Sequence, residues 1–262
     1  MRFSVLSSGS KANCTFLEAG NTRILIDCGL SAKQTELRLT SLGINPASID
    51  AIILTHEHSD HIRGLSVFSR KWKTPIYANQ ATANFLKNVF AVENFESNSK
   101  FSLGSLLISS FSIIHDAHDP VAFCIESEGL KFSHATDLGK VTPQVRDALY
   151  FSNALVLESN HDVEMLETCF YPWEVKQRIS SNYGHLSNEQ AGELLRDIYH
   201  PELLHLVLGH ISENSNTHTQ VIETVSNYLN LNHFQTFECG NPVRPTDLIE
   251  VGETISVAYA GG

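Results

Sequence analysis

The sequence predicts an α/β (α+β) fold with two sheets and helices outside them. Short apolar runs alternate with helical patterns along most of the chain, one of those runs is apolar on both faces, and no linker or low-complexity stretch interrupts the 262 residues. A run that is apolar on both faces must be covered on both sides. We therefore expect a single domain over residues 1–262, with a body at 1–232 and a tail at 233–262 whose structure the pattern does not indicate.

The first elements form a meander of strands. Strands are predicted at Arg2–Ser7, Cys14–Glu18 and Arg23–Cys28, with a turn at Gly20-Asn21. Ser31 and Gln34 form a capping-box pattern at the start of a helix that ends at Gly43. The strand that is apolar on both faces follows at Ile49–Thr55, and the residues directly after it carry the strongest functional signal in the sequence.

Helices and strands alternate through the middle of the chain. The predicted elements are a helix at Ile62–Trp72, a strand at Ile76-Tyr77, a helix at Ala81–Val89, paired strands between Phe101 and His115, strands at Val121–Glu126 and Leu130–His134, a helix begun by Thr142-Pro143, and a strand at Ala154–Glu158. The final third is mostly helical, with a second capping box at Ser187 and Gln190 for a helix that ends near Tyr199. A buried strand at Leu204–Leu208 and a helix at Val221–Leu229 close the body.

Composition restricts the possible partners and the compartment. The 18 basic and 29 acidic side chains leave a net charge of −11, which argues against a protein that coats nucleic acid or anionic membrane through bulk charge. Five scattered cysteines without a CxxC pair indicate a reducing compartment rather than a disulfide framework. Because neither a signal-peptide core nor a membrane-spanning apolar run develops, we expect a cytoplasmic protein with no membrane partner. No obligatory protein partner is indicated.

The decisive segment is His56-Glu57-His58-Ser59-Asp60-His61, directly after the buried strand. In extended backbone, positions 56, 58 and 60 fall on one side and position 61 turns to another, so the loop can serve two neighbouring ions. Imidazole and carboxylate ligands suit Zn, Mn or Fe. The alternative is a solvated polar loop, which we disfavour because random loops seldom place this set of side chains behind a buried strand.

Later strand ends supply the remaining ligands. His115 ends the apolar run before it, Asp137 follows the strand at Leu130–His134, and His210 follows the strand at Leu204–Leu208. Asp137 is the best bridging candidate because a carboxylate has two oxygens and can hold two ions about 3.5 to 4 Å apart. Each of these residues alone is more often structural, but together with the loop they favour a metal site.

The ordered motifs resemble those of the metallo-β-lactamase superfamily: His56-x-His58-x-Asp60-His61, then His115, Thr136-Asp137 and Gly209-His210. The resemblance covers nearly the whole body and implies an αββα sandwich of two mixed sheets with helices on both outer faces. Three further stretches resemble the YycJ/WalJ-type branch, whose members are associated with 5′ to 3′ exonuclease action on DNA: Ser8-Gly9-Ser10 with Asn13, Glu158-Ser159-Asn160-His161-Asp162, and Gly184-His185-Leu186-Ser187-Asn188.

The resemblance also implies how the ligands divide. One ion takes His56, His58, His115 and Asp137, and the other takes Asp60, His61, Asp137 and His210. Two departures stand out: Asp137 is followed by Leu138-Gly139 where the superfamily often has Thr-Gly, and His118 is a rival to His115. Neither departure removes a ligand.

Other polar residues have roles that the sequence leaves open. His185 lies two residues before the capping Ser187, where free helix amides favour an anion. By similarity to metal-dependent ribonucleases such as ribonuclease Z, it would contact the scissile phosphate or pass a proton to the leaving oxygen; the alternative is a packing histidine. His161 is evenly balanced between a catalytic and a structural role. Ser10 and Asn13 would support the metal loop, and Ser187 would support it or bind phosphate.

Basic side chains are few, and two groups of them could guide a phosphodiester backbone: Arg63, Arg70, Lys71 and Lys73 after the metal loop, and Lys176 and Arg178 before His185. The alternative is an ordinary solvated helix face.

The leading hypothesis is a metal-dependent phosphodiesterase, favoured as a 5′ to 3′ DNA exonuclease that uses a metal-activated hydroxide oriented by Asp60 at a dinuclear site. Its substrate would be nucleic acid, DNA rather than RNA. The nearest alternative is a small-molecule hydrolase acting on a cyclic phosphodiester, thioester or lactam at the same metals. A di-iron redox protein with a flavin partner is less favoured because no flavin module is present. A non-catalytic binding protein is disfavoured because structural metal sites close their ligand shells.

Overall fold

Two seven-stranded β-sheets form the centre of the structure. The computed structural model describes residues 1–252, and residues 253–262 of the predicted tail lie outside the described residues. The strands are β1 (Arg2–Ser7), β2 (Cys14–Ala19), β3 (Thr22–Ile26), β4 (Ala51–Ile53), β5 (Ile76–Ala78), β6 (Val92–Asn94), β7 (Lys100–Leu103), β8 (Leu106–Ser112), β9 (Val121–Ser127), β10 (Leu130–Ala135), β11 (Ala154–Glu158), β12 (His205–Gly209), β13 (Thr236–Cys239) and β14 (Ile249–Glu250).

Both sheets are mixed. The first has the order β14-β1-β2-β3-β4-β5-β6, and the second has the order β13-β12-β11-β10-β9-β8-β7. In the first sheet, β3 to β6 pair in parallel and the others are antiparallel. In the second, β10 to β13 are parallel and β7 to β10 are antiparallel. The prediction of two mixed sheets is confirmed.

Helices cover the outer faces of the two sheets. They are α1 (Ala32–Ser41), α2 (Ser59–Ile62), α3 (Leu65–Trp72), α4 (Gln80–Ala83), α5 (Pro143–Leu149), α6 (Val163–Thr168), α7 (Trp173–Ser180), α8 (Asn188–Ile198) and α9 (His218–Ser226), with single 3₁₀ turns at Pro46–Ser48 and Leu231–His233. No helix in residues 1–252 is long and apolar enough to cross a membrane.

Three apolar cores separate the layers. The central core lies between the sheets, with Phe3 and Ile26 from one sheet and Phe123 and Val156 from the other. The second core packs α5, α8 and α9 on β10 to β12. The third packs α1 and α3 on the first sheet. This arrangement is the αββα sandwich, and it leaves the ends of the strands free to carry polar side chains.

The sequence misplaces several local elements. The predicted helix at Ile62–Trp72 is two helices, α2 and α3, that break at Gly64, where the backbone lies directly against the Leu30 carbonyl and has no room for a side chain. The helix predicted at Ala81–Val89 is only α4, and Asn88 beyond it has a φ of 54° that a helix does not allow. Strand β6 was not predicted.

Part of the tail is ordered β-structure that the sequence pattern did not indicate. β13 and β14 are outermost strands of the two sheets, and the side chains of β13 are all half-buried. An edge strand of this kind lacks the apolar alternation by which a half-buried strand is identified from sequence.

Candidate metal centre

The predicted ligands meet at one end of the sandwich, where several parallel strands end. Their positions are the loop after β4 for His56 and His58, helix α2 for Asp60 and His61, the segment after β8 for His115, and the residues after β10 and β12 for Asp137 and His210. Because the carboxyl ends of parallel strands share one edge of a sheet, side chains from distant stretches of sequence are brought together there.

The expected extended backbone continues through His58 but not to Asp60, so that part of the prediction is wrong. Ser59–Ile62 is a helical turn, α2, with His58 at its N-cap, so Asp60 and His61 project from a helix rather than from a strand-like loop. The Asn13 N–H donates to the Asp60 carbonyl at 2.8 Å and the Cys28 N–H donates to the His61 carbonyl at 2.8 Å. These hydrogen bonds tie the turn to the segments after β1 and β3, and the ligand side chains still converge.

His56, His58 and His115 form the first group, which we call the histidine set. The His56 ring lies 4.5 Å from His58 and 5.2 Å from His115 between ring centroids, and His58 lies 5.1 Å from His115. One ligand atom from each of the three lies within 4.8 Å of the others. Burial lowers the pKa of His56 and of His115, so both imidazoles are neutral and able to bind a cation.

Asp60, His61 and His210 form the second group, which we call the aspartate set. His61 Nε2 lies 3.3 Å from Asp60 Oδ2, and His210 Nε2 lies 3.8 Å from the same oxygen. Burial alone would lower the pKa of His210, but the neighbouring carboxylates of Asp137, Asp60 and Glu158 raise it to about 10. Asp137 and Asp27 likewise outweigh burial and raise the pKa of His61.

Asp137 lies between the two sets. Its Oδ1 is 3.6 Å from His115 Nε2 and 3.3 Å from His210 Nε2, and its Oδ2 is 3.2 Å from His61 Nε2. Burial opposes ionisation, but the surrounding imidazoles, His210 first, hold the pKa of Asp137 well below its usual range. The carboxylate is therefore ionised and is in reach of both sets, as a bridging ligand would be.

Two buried carboxylates that the sequence analysis did not select stand behind the aspartate set. Asp27 Oδ2 lies 2.7 Å from His61 Nδ1, and the carboxylate accepts hydrogen bonds from the Thr55 N–H and hydroxyl. Glu158 Oε1 lies 2.8 Å from His185 Nδ1 and 3.1 Å from His210 Nδ1. These contacts fix the tautomer and orientation of three imidazoles.

The Glu158 carboxylate is held on all sides. Its Oε2 accepts hydrogen bonds from the Leu138 N–H at 2.8 Å and the Leu186 N–H at 3.0 Å. Burial would raise the pKa of Glu158, but His185 and His210 lower it to about 2.

The sequence did contain a signal for these two carboxylates. Asp27 and Glu158 each come at the end of an apolar strand, as Asp137 does.

Three of the eight non-glycine residues with positive φ in residues 1–252 lie at this centre. Asp27, Asp137 and His210 have φ values of 60°, 58° and 54°, in the left-handed region that non-glycine residues rarely adopt. Each such residue costs on the order of 1 kcal/mol or more, and strain of this kind persists where the surroundings demand a particular side-chain direction.

The donor set fits a pair of divalent cations. Within residues 1–252, buried His56 Nε2, Asp137 Oδ2 and His210 Nε2 make no hydrogen bond, although each lies among the other ligands. A buried polar atom without a partner costs about 1–3 kcal/mol, and a cation would remove that cost. Imidazole and carboxylate together are the ligand types of Zn, Mn and Fe sites.

Comparison with known proteins identifies the family. A family model described as a β-lactamase superfamily domain matches residues 22–211. The chain belongs to the metallo-β-lactamase superfamily. Over 224 residues it is 37% identical to exodeoxyribonuclease YycJ of Bacillus anthracis, covering 82% of this chain and 84% of that protein. Over 236 residues it is 34% identical to exodeoxyribonuclease WalJ of Streptococcus pneumoniae D39, covering 87% and 88%. The resemblance drawn from the motifs is confirmed.

Solved structures of the superfamily have the same fold. The metallo-β-lactamase fold protein YhfI from Bacillus subtilis aligns with a TM-score of 0.71 at 17% identity, over 94% of this chain and 99% of that one. The short form of human tRNase Z aligns with a TM-score of 0.67 at 16% identity, over 97% of this chain and 100% of that one. At these identities the likeness concerns the fold alone.

The centre opens into a small cleft of about 240 Å³. Ligands from both sets line it, together with Ser10, His185, Asp116, Tyr171 and Arg178. Arg178 Nη1 lies 3.1 Å from Asp116 Oδ2 at its edge. His185 is therefore close to the ligands, as expected, and its ring stacks on His210 at 4.9 Å between centroids.

Asn13 and Ser10 lie where the sequence analysis expected them. The Asn13 amide nitrogen is 3.1 Å from Asp60 Oδ2 and 3.1 Å from His61 Nε2, and its oxygen accepts a hydrogen bond from the Gly9 N–H. This amide links the loop after β1 to the aspartate set, and Ser10 lines the cleft.

His161 and Ser187 are not among the described residues that line the cleft. His161 is 3% exposed, and burial lowers its pKa to about 4, so it is a neutral interior side chain. The Ser187 hydroxyl accepts a hydrogen bond from the Gln190 N–H in a complete capping box, which leaves it committed to α8. The structure gives neither residue a contact with the metal ligands.

His118 takes no place in the cluster. It is exposed, and its Nδ1 lies 2.7 Å from Glu57 Oε1 on the outer side of the metal loop. The predicted basic group after that loop is also elsewhere: Arg70 bonds the Asn88 carbonyl, and Lys71 pairs with Glu36 at 2.7 Å. Of the basic residues proposed to guide a substrate, Arg178 is the one that lines the cleft.

Proposed function

We propose that the protein is a metal-dependent exonuclease that hydrolyses DNA phosphodiester bonds from the 5′ end. The observation that carries this proposal is the position of Asp137 within 3.6 Å of ligand nitrogens from both sets. The two relatives named exodeoxyribonuclease, which align with most of this chain, supply the reaction class. DNA is favoured over RNA because both relatives are named for it.

Two divalent ions, of Zn, Mn or Fe, would be held by the ligands at hand. The histidine set with Asp137 would bind one ion, and the aspartate set with Asp137 would bind the other. When bound, such ions supply Lewis acidity, which lowers the pKa of a water and offsets charge on phosphate oxygens.

The chain's own residues supply orientation and proton control. Opposing burial, the neighbouring imidazoles of His210 and His61 keep the pKa of Asp60 below its usual range, so its carboxylate stays ionised. Held by the Asn13 amide at 3.1 Å, Asp60 can accept a hydrogen bond from the attacking water. Arg178 lies at the edge of the cleft, where it can give up its contact with Asp116 and bind a phosphate oxygen instead.

His185 is placed to protonate the leaving oxygen. Glu158 Oε1 lies 2.8 Å from His185 Nδ1 and fixes a proton on that nitrogen. His185 Nε2, on the other side of the ring, faces away from the carboxylate. Nε2 is therefore the ring nitrogen that can exchange a proton with the leaving oxygen.

The test is metal analysis joined to a substrate panel. The purified protein is assayed on 5′-labelled and 3′-labelled DNA, RNA, bis-p-nitrophenyl phosphate and a thioester. Asp137→Ala should lose bound metal and phosphodiesterase activity together, while the exposed control Asp147→Ala keeps both. Activity of Asp137→Ala at the parent rate would rule out this site. Turnover of the thioester alone would favour a small-molecule hydrolase.

We also propose a cytoplasmic location. All five cysteines are free thiols, in agreement with a reducing compartment.

A further inference from the structure

The cleft over the candidate metal centre is small. Its volume of about 240 Å³ lies below the range of roughly 300–1,000 Å³ that is usual for ligand pockets. The side chains of the two ligand sets form the floor of the cleft. When a phosphodiester binds there, the sugar and base therefore lie at the rim. The surface chemistry of that rim therefore decides which substrates bind well.

An aromatic turn stands at this rim. The link between α6 and α7 reads Cys169-Phe170-Tyr171-Pro172 and is followed by Trp173. Tyr171 lines the cleft with Arg178, while Phe170 is 79% exposed next to it, with ring centroids 5.1 Å apart and planes tilted by 59°. The apolar surface thus continues outward from the cleft instead of lying alone on the protein surface.

The turn is held in place. The Tyr171 hydroxyl accepts a hydrogen bond from the Asn214 amide at 2.6 Å, and Pro172 caps α7, where its carbonyl accepts from the Val175 N–H at 3.0 Å. Because the backbone is fixed at both ends by helices, presenting the Phe170 ring to a ligand costs little conformational entropy.

We infer that Phe170 and Tyr171 form a stacking shelf for the bases of a single-stranded DNA end whose phosphodiester enters the cleft. This inference rests on the proposed function and specifies its substrate as a strand with unpaired terminal bases. Stacking on an aromatic ring tolerates any base, because every base has a π face. The Arg178 guanidinium lies on the same cleft wall, where its charge complements the backbone phosphate.

Binding of a nuclease-resistant strand tests the shelf. The probe is a fluorescent phosphorothioate single strand, measured by anisotropy with the metal-loaded protein. Phe170→Ala should raise its Kd by roughly 5- to 150-fold, the effect of losing one stacked base. Phe170→Trp should restore binding. The matched control Phe151→Ala, which removes a 68% exposed ring outside the cleft, should leave Kd unchanged.

A strand with abasic terminal positions separates stacking from other effects. Wild type and Phe170→Ala should bind it equally, because there is no base to lose. Unchanged binding of the normal strand by Phe170→Ala, or an equal loss on the abasic strand, would overturn the shelf. Cleavage of the unmodified strand is measured separately. If the Kd values change as expected but the strand is not cleaved, the proposed exonuclease activity is wrong and the stacking shelf is not.

Discussion

The histidine set and the aspartate set share Asp137 but differ in what lies behind them. In the histidine set, neutral groups contact the outer ring nitrogens: the Thr55 hydroxyl lies 3.0 Å from His56 Nδ1, and the Gly184 carbonyl lies 3.1 Å from His115 Nδ1. In the aspartate set, carboxylates take that place, with Asp27 at 2.7 Å from His61 and Glu158 at 3.1 Å from His210.

This difference determines where protons reside before a cation binds. Burial lowers the pKa of His56 and His115, whereas nearby carboxylates raise the pKa of His61 and bring that of His210 to about 10. His56 and His115 can bind a cation without losing a proton, whereas the aspartate set must release the protons held by both His61 and His210. The two sets therefore differ in protonation, because the Asp27 and Glu158 carboxylates lie behind the aspartate set.

Replacing Glu158 should have the largest effect, because this carboxylate contacts both His210 and His185. Glu158→Gln keeps the shape but removes the charge, and its NH2 group replaces the acceptor oxygen that faces either the Leu138 and Leu186 N–H donors or the two imidazoles. We expect kcat to fall by about 10²-fold or more and metal affinity by about 10- to 100-fold. Steady-state kinetics and a chelator competition measure the two effects.

The matched control for that experiment is Glu164→Gln, an exposed glutamate in α6. Normal kcat and metal content in Glu158→Gln would show that the carboxylate behind the aspartate set has no role in either property.

Replacing Asp27 should separate the two subsites. Asp27→Asn removes the charge behind His61 and reaches the histidine set only through the uncharged Thr55 hydroxyl, so one of two bound ions should weaken more than the other, by about 10- to 100-fold. Stepwise metal titration against a chelator measures each ion, with the exposed Asp147→Asn as control. Equal weakening of both ions would contradict the division into unequal subsites.

The pH dependence of metal binding should also differ between the subsites. Below its folded pKa of about 10, His210 holds a proton that a cation must displace, and His61 holds another, so affinity for the aspartate set should rise by at least about tenfold per pH unit from pH 7 upward. Affinity for the histidine set should stay flat over this range. Calorimetry in buffers of different ionisation enthalpy counts the released protons, and identical counts for the two ions would refute the difference.

The last prediction concerns stability in acid and not metal binding. His134, hydrogen-bonded to Thr15 at 3.2 Å between the sheets, has its pKa lowered by burial from 6.5 to about 4. The folded protein favours the neutral form of His134. The stability that this residue contributes is therefore complete above pH 6.5 and is lost as pH falls toward 4. The loss is about 3 kcal/mol.

Urea unfolding of the metal-free protein at pH 7 and pH 4.5 measures that loss. His134→Gln should lose less stability than wild type between the two pH values. An equal loss would place the acid sensitivity in other residues.

The converging residues could be predicted from the sequence, but their structural setting could not. His56, His58 and Asp60 could be selected because polar side chains directly after a strand that is apolar on both faces are conspicuous. The backbone between them could not be predicted, because the four residues of α2 are too few for a helical period to be distinguished from alternation.

The supporting contacts were out of reach for a different reason. Asp27 and His61 are separated by 34 residues, and Glu158 and His210 are joined only because β11 and β12 pair in parallel. Local patterns contain no information on such pairings. The same holds for β13 and β14, whose strand character comes from the sheet edges on which they lie.

Anomalous diffraction from crystals of the metal-loaded protein tests the central claim most directly. We predict two peaks about 3.5 to 4 Å apart on either side of the Asp137 carboxylate, one within about 2.0–2.2 Å of the histidine set and one within that distance of the aspartate set. A single peak per chain, or peaks that leave Asp137 uncoordinated, would contradict a dinuclear centre.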